Sequence, residues 1–408
     1  MQSKVAVIGG GIAGLWCALE LARMEIDSLI VEKAPFLGGH VAQFCCKATD
    51  SCQRCGACVL EDVLEKVKSR ERITCMVRTT LTDVRRAGPG FQLGLLQRSP
   101  WILPDKCTGC GSCLEVCPAP GALSRSPGSP TVTLKDEACR FFRTGSCNSC
   151  VEACPEHAIV FSAASQPLDV NCSAVVVATG FTPFDPDEKP RFGYGRVPGV
   201  VTALELDALL RQDTFSPGNG KGPIRSVAFI QCVGSRDVRI GRNYCSRVCC
   251  GYAMRLARLL RNRFPGIEPT MFYMDIQSFD RDFAHRLAEA AKEVRLVRSI
   301  PAEIRTSADG RPELVYHGPD ETRVSEPYDM VVLSVGLSPR AEAAELFGVA
   351  LDRHGFPGAG SEEVRTSVPG VFVAGTAQGP RSITDSVIHA TKAAAAAASH
   401  LRSMEAIR

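Results

Sequence analysis

Lys4–Lys33, KVAVIGGGIAGLWCALELARMEIDSLIVEK, reads as a complete βαβ unit: an apolar strand, a turn carrying Gly9, Gly11 and Gly14, a helix to Met24, and a second strand ending in Glu32. Glycines at these places let backbone approach a pyrophosphate at a helix N-terminus, and Glu32 stands where a carboxylate accepts from a ribose hydroxyl. A GxGxxG alone is a weak signal; strand, helix and acid in register make dinucleotide binding the reading to prefer over a chance glycine turn. Ala13 and Lys33 in this unit, and Gly39 just after it, complete the first part of the expected site.

Two later segments favour FAD as the dinucleotide. AVVVATGFT (174–182) is an apolar strand ending in Thr179 and Gly180, and GVFVAGTA (370–377) is another, carrying Gly375 and Ala377. A helix is expected to follow, beginning near Ile383 or Thr384. Both segments resemble recurring motifs of two-dinucleotide flavoproteins, in which the second strand and helix hold the ribityl chain and pyrophosphate. Thr376 stands where that motif usually has an acid.

Composition sets the outer limits. The 408 residues are 45% hydrophobic, enough for two or three domains, and carry a formal net charge of +3. That balance, with 6% aromatic residues, offers no basic patch for a nucleic acid. The apolar tail Ala390–Ala398 is too short to span a bilayer, so no membrane span is expected. The chain runs straight into a nucleotide-binding strand without a signal peptide, which points to a reducing, cytoplasmic setting in which its 20 cysteines bind metal rather than pair.

Those cysteines fall into three groups. In CTGCGSCLEVCP, Cys107, Cys110, Cys113 and Cys117 have the spacing of the bacterial two-cluster ferredoxin run, whose fourth cysteine serves the other cluster. CRFFRTGSCNSCVEACPEHAI adds Cys139, Cys147, Cys150 and Cys154. Crossing the ligands gives Cys107, Cys110, Cys113 and Cys154 for one [4Fe–4S] cluster, and Cys139, Cys147, Cys150 and Cys117 for the other. Zinc ribbons use CxxC pairs too, but not two CxxxCP endings. The second group, HVAQFCCKATDSCQRCGACVLEDVLEKV, spaces Cys52, Cys55 and Cys58 as three ligands of a further cluster, with either Cys45 or Cys46 as the fourth; a zinc knot or free thiols is the competing reading.

The third group sits where a pyridine-nucleotide reductase would bind its nicotinamide. In SVAFIQCVGSRDVRIGRNYCSRVCCGYAMRLARLL (226–260), Val227–Gln231 reads as the first strand of a Rossmann-like unit and Tyr252–Leu260 as its helix. Between them lie Cys232, Cys245, Cys249 and Cys250 in place of a glycine-rich phosphate turn, a set suited to an iron–sulfur cluster. A redox dithiol of Cys249 and Cys250 would leave the other two without a role. Four clusters in all leave Cys17, Cys75, Cys172 and one of Cys45 or Cys46, of which Cys17 and Cys172 read as core residues. His40 and His157 lie near cofactor segments and read as packing or surface residues.

GGGIAGL, GGHVAQ, the ferredoxin insert, FIQCVGSRD with YCSRVCC, and FVAGTAQGP together resemble the A-type flavoprotein component of heterodisulfide reductase over most of the chain. The resemblance implies an α/β, thioredoxin-reductase-like two-dinucleotide-binding flavoprotein with an inserted α+β two-cluster ferredoxin domain. It implies FAD beside a non-standard [4Fe–4S] cluster on Cys232, Cys245, Cys249 and Cys250, and a flavin able to split electron pairs between two paths. It also implies redox partner subunits, of HdrB/C-like, MvhD-like or catalytic reductase type, with ferredoxin a candidate carrier. Long members of the family continue into a further ferredoxin domain, and Arg381 stands where a lysine is expected; both suggest a short, HdrA-like relative serving another enzyme, such as a class II benzoyl-CoA reductase complex or a quinone-linked oxidoreductase. The rival readings are a self-sufficient NAD(P)H-dependent iron–sulfur flavoenzyme and a flavin-free cluster wire.

The expected domains are an FAD unit from 1–100, 165–223 and 341–408, a ferredoxin insert at 101–164, and a second Rossmann-like unit at 224–340 carrying a [4Fe–4S] cluster. Pro- and Gly-rich stretches at 124–130 and 216–223 read as surface linkers.

Overall fold

A computed structural model describes residues 2–119, 121–125, 131–134, 136, 138–161, 165–211, 214–216, 218, 222–277, 279, 283–358 and 363–406. Most of the two stretches read as linkers, 126–130 together with 217 and 219–221, lies outside these residues.

The first sheet grows from the opening strand Gln2–Ile8, whose Val5, Ala6 and Val7 are wholly buried, as a strand covered on both faces must be. It pairs in parallel with Ser28–Val31 on one side and with Ser165–Val177 on the other, and Ile73–Met76 extends the parallel run at the edge. Ser165–Val177 is long enough to serve two partners. Its first half pairs antiparallel with Gly90–Arg98 of the hairpin Thr79–Ala87/Gly90–Arg98, and its last residues pair in parallel with Val371–Val373.

One face of this sheet is covered by helices Ile12–Arg23, Val59–Lys68 and Ile383–Ala406. Ala390, Ala393, Ala394, Ala397 and Ala398 form a buried stripe at helical spacing on the last of these, and small side chains there let it lie close against the first helix. The alanine-rich tail is thus a core helix. Among the described residues, no helix is long and apolar enough to cross a membrane.

A second sheet has the order Val200–Thr202, Met330–Val335, Ser226–Val233, Glu268–Phe272, Arg295–Val297, all parallel. Helices Ala203–Arg211 and Cys249–Arg263 cover one face, and the antiparallel strands Glu303–Thr306, Pro312–His317 and Arg323–Pro327 contribute to the core on the other. This unit begins earlier than the boundary of 224 expected from sequence: Val200–Thr202 pairs with Val331–Leu333, and Leu206 and Leu210 of the following helix are buried in the second core. The insert is small, with short helices Ser112–Glu115, Arg140–Thr144 and Ser149–Glu152 and one hairpin, Leu123–Arg125/Val132–Leu134. Trp101, Phe141, Phe142 and Phe161 pack ring on ring beside it. The α/β fold with two dinucleotide-type sheets is as the sequence led us to expect.

Candidate functional site

A cavity of about 380 Å³ opens above the first glycine turn and reaches across to the second unit. Gly9 has φ +112°, and a Cβ there would lie 2.4 Å from the Ala178 carbonyl oxygen, so only glycine holds this turn against the neighbouring strand. Gly14 does not line the cavity; a Cβ on it would lie 1.9 Å from the Gly9 oxygen, so it seats the helix on the turn. Gly11, the residue before helix Ile12–Arg23, differs from both: a Cβ would meet nothing within 4 Å, because it faces the open cavity at the helix N-terminus. That is the cradle a pyrophosphate needs.

Ala13, Glu32, Lys33 and Gly39 line the same cavity. The Glu32 carboxylate accepts from the backbone N–H of Gly10 at 2.6 Å and of Ala34 at 2.7 Å, which fixes its orientation at the rim. Thr179 and Gly180 line the cavity from the end of the long central strand. Gly375 packs behind it: with φ +64°, its Cβ would come within 2.5 Å of the Ala13 methyl, and its N–H donates to His389 Nδ1 at 3.0 Å. Ala377 is fully buried behind that turn, while Ile383 reaches the cavity from the first turn of the C-terminal helix. His40 also lines the cavity, stacked on Phe181 at 4.4 Å with Nε2 at 3.1 Å from the Phe181 oxygen; burial lowers its pKa. His157 is exposed on the insert.

The third cysteine group borders this cavity. Cys249 and Cys250 open the helix Cys249–Arg263, and Cys249 lines the cavity wall. The Cys249 thiol is held well below its ordinary pKa by hydrogen bonds from Cys232 and Cys250, while the same bonds push those two partners up. Cys245 lies close enough for its charge to be felt at Cys232, and the Arg247 N–H donates to Cys245 Sγ at 3.2 Å. The Ser235 hydroxyl is buried with no hydrogen-bond partner in the protein, and the buried Ser246 hydroxyl faces Cys249 and helps to lower its pKa.

Where a nicotinamide unit would keep an open turn, Gly234 is capped by the buried Phe184: a Cβ on this glycine would lie 2.0 Å from the ring.

The insert holds two further thiol sets. Cys107, Cys110, Cys113 and Cys154 surround one small cavity, and Cys117, Cys139, Cys147 and Cys150 another. Burial and then the surrounding sulfurs push the Cys150 thiol up to about 11, with Cys113 raised in the same way by its own set. Among the described residues, no three His, Cys, Asp or Glu side chains converge as they would around a single ion.

Cys46, Cys52 and Cys58 are exposed and Cys55 is half-buried at the cavity. Cys45 is different. It is buried in the core of the second unit beside Leu206 and Ala253, and burial raises its thiol to about 12. Cys17 and Cys172 are likewise core residues, raised to about 12 by burial.

Among the residues of the cavity wall that sequence reasoning missed are Phe44, Lys47, Tyr252 and Arg255. Lys47 is buried, as is Asp207, and Lys47 Nζ contacts Asp207 Oδ2 at 2.6 Å and the Cys45 oxygen at 3.0 Å. Asp207 also accepts from the Tyr252 hydroxyl and from the Cys45 N–H at 2.9 Å. A lysine directly after two cysteines was the one local signal, and its acidic partner is far off in sequence.

Two dinucleotide-type units closing on one cavity define a two-domain redox enzyme of the disulphide-reductase class. The chain belongs to the pyridine nucleotide-disulphide oxidoreductase family, whose sequence model matches residues 3–397, and it is an oxidoreductase. Its fold is similar to that of the thioredoxin reductase of Lactococcus lactis, with TM-score 0.57 at 16% identity over 98% of this chain and 99% of that one. The T. acidophilum thioredoxin reductase is comparable, with TM-score 0.57 at 14% identity over 99% of each chain. In sequence it is similar to the A component of the H(2):CoB-CoM heterodisulfide,ferredoxin reductase of Methanothermobacter thermautotrophicus, 34% identical over 98% of this chain and 64% of that protein. It is also similar to the second A-type iron-sulfur component of the CoB--CoM heterodisulfide reductase of Methanopyrus kandleri, 33% identical over 99% of this chain and 65% of that protein. The resemblance expected from the motifs is borne out, and the chain spans about two thirds of the length of these relatives.

Proposed function

We propose that this chain is the FAD- and [4Fe–4S]-carrying electron-transfer component of a multi-subunit oxidoreductase of the heterodisulfide reductase type. The observation that carries the reading is that one cavity is bounded by Gly11 at a helix N-terminus, by Cys249 of the third thiol group and by Cys55 of the second. When bound, FAD exchanges one or two electrons and a [4Fe–4S] cluster exchanges one, so such a set converts two-electron into one-electron traffic.

The residues divide the work. Gly9 and Gly14 hold the turn, Gly11 leaves room for phosphate at the helix N-terminus, and Glu32 receives the ribose. Phe44, Tyr252 and Ile383 supply apolar surface that keeps water from the wall between the glycine turn and the two thiol groups. Thiols on two sides of the wall give the cavity two exits, the layout that splitting an electron pair requires. The cluster ligands in this reading are Cys46, Cys52, Cys55 and Cys58; Cys232, Cys245, Cys249 and Cys250; and the two crossed sets of the insert. Cys46 takes the place open beside Cys45 because Cys45 is committed to the core. Partner subunits with their own redox centres, cytoplasmic, complete the assembly.

Phe184 over Gly234 weighs against a self-sufficient nicotinamide enzyme. Anaerobically purified and reconstituted protein tests the reading: flavin absorbance near one FAD per chain and about sixteen irons in four clusters are expected. Well under four clusters, an empty flavin site, or flavin bleaching by NADH alone would overturn it.

A further inference from the structure

We propose that Arg236, held in place by Asp275, sets the reduction potential of the cluster carried by Cys232, Cys245, Cys249 and Cys250. The inference rests on the reading of those four thiols as cluster ligands. The connection from strand Ser226–Val233 to helix Cys249–Arg263 is built around sulfur in an unusual way. Three of its non-glycine residues have left-handed backbone: Cys232 at φ +58°, Arg236 at +55° and Arg247 at +62°. Such conformations are unfavourable for residues with a Cβ and persist where surrounding contacts fix them. Here the fixing contacts are visible. Arg236 N–H donates to the Tyr244 oxygen at 2.9 Å, and Asp237 and Arg242 exchange backbone hydrogen bonds at 2.8 and 3.0 Å, closing the segment into a hairpin.

The result is to point donors at the thiols. The Arg236 guanidinium grips Asp275 with both Nη atoms, at 3.0 Å for the Nη2–Oδ2 contact, and lies close enough for its charge to be felt at Cys232, four residues back on the same turn. Arg247 N–H donates to Cys245. The buried hydroxyl of Ser235, which has no hydrogen-bond partner in the protein, and that of Ser246, which faces Cys249, are two further donors available to sulfur. A cation and N–H or O–H donors at cluster sulfurs stabilise the reduced, more negative state and so move the potential in the positive direction. Asp275 opposes that charge while fixing the guanidinium. Removing the arginine should move the potential one way, and removing the charge of its partner should move it the other.

The test is an anaerobic redox titration of the full chain followed by electron paramagnetic resonance, with iron counted for each variant. Cys249→Ser identifies the signal that belongs to this group. Arg236→Gln should shift that signal to more negative potential and Asp275→Asn to more positive potential, with iron content unchanged. A contact that merely supports the loop would not produce shifts of opposite sign. Full iron with unshifted potentials in both variants would overturn the role of Arg236 while leaving the cluster in place. If Arg236→Gln loses iron, Asp275→Asn decides alone: a positive shift supports the proposal, and no shift or a negative one overturns it. Should Cys249→Ser lose neither iron nor any signal, the thiols carry no cluster, and the reading and the inference fall together.

Discussion

Lys47 Nζ lies 2.6 Å from Asp207 Oδ2, and both side chains are buried, at 2% and 1% exposure. Lys47 follows the glycine-turn unit in the chain, whereas Asp207 belongs to helix Ala203–Arg211 of the second sheet, so the ion pair fastens one unit to the other. The ammonium also lies 5.2 Å from the ring centres of both Phe44 and Tyr252, and the Tyr252 hydroxyl donates to the same carboxylate. Arg258 adds a second fastening, donating to Gln53 Oε1 at 2.9 Å from the helix that Cys249 opens. Together these contacts hold the second thiol group and the third on the wall of one cavity.

Breaking that pair should be severe. Lys47→Met leaves the Asp207 carboxylate buried without its cation, which destabilises by about 3 kcal/mol. Exposed Lys66, paired with Asp62 one helical turn away, should lose no more than about 0.5 kcal/mol on the same change. Lys47→Met with Asp207→Leu should recover a large part of the loss, because neither charge is then stranded. Denaturant titration of the four proteins checks the order; equal losses for Lys47 and Lys66 would show that the buried pair does not fasten the units.

The second prediction concerns pH. His389 is buried, accepts from Gly375 N–H at Nδ1, and is lowered from 6.5 to about 4, first by burial and then by the Arg381 guanidinium. Between those values the unfolded chain binds a proton that the folded chain refuses, so stability falls as pH is lowered from about 6.5 towards 4. The contribution is about 2 kcal/mol after allowing for solvent screening. It is fully present above 6.5. His389→Asn keeps a side-chain acceptor and removes the titration, so its stability curve should be flatter across this window. Parallel curves for the two proteins would show that the imidazole is not what the acid limb reports.

Much of this arrangement is legible in the sequence because it is local. The glycine turn, Glu32 and the cysteine runs are patterns within about 30 residues, and backbone geometry translates such spacings directly into shared faces and loops. The alanine stripe of the last helix is legible for the same reason. The Lys47–Asp207 pair is not, since 160 residues separate its partners and neither residue type announces burial. The early start of the second unit was missed because Val200–Thr202 is a three-residue strand whose apolar character becomes meaningful only against Met330–Val335. Arg236 was hidden in a stretch of four arginines, 236 to 247, and only folding distinguishes the one whose guanidinium is felt at Cys232.

Cys45 and Cys46 are adjacent and chemically alike, yet should behave oppositely. Cys45→Ala removes a small apolar group from a core and should cost about 1 kcal/mol with iron content unchanged. Cys46→Ala, at an exposed position, should leave the melting transition of the refolded core nearly unaltered and lower iron by roughly four atoms per chain. Iron analysis beside a thermal melt separates them, and loss of iron from the Cys45 variant alone would reverse the assignment.

Gly11 and Gly14 offer the sharpest separation of binding from folding. At Gly14 an added methyl would stand 1.9 Å from the Gly9 oxygen, so helix and turn must part, at a cost of about 3 kcal/mol. At Gly11 the φ of −74° suits any residue and nothing lies within 4 Å, so Gly11→Ala should fold with a loss of about 0.5 kcal/mol from the weaker helix cap. Its methyl would nevertheless occupy the approach to the helix N-terminus. Flavin affinity should therefore fall at least tenfold, about 1.4 kcal/mol, in a protein whose melt is almost unchanged. Fluorescence titration of the apoprotein with FAD measures the first quantity and calorimetry the second. Full affinity in Gly11→Ala would mean that the phosphates do not approach the backbone at this turn, and the glycines would then be explained by packing alone.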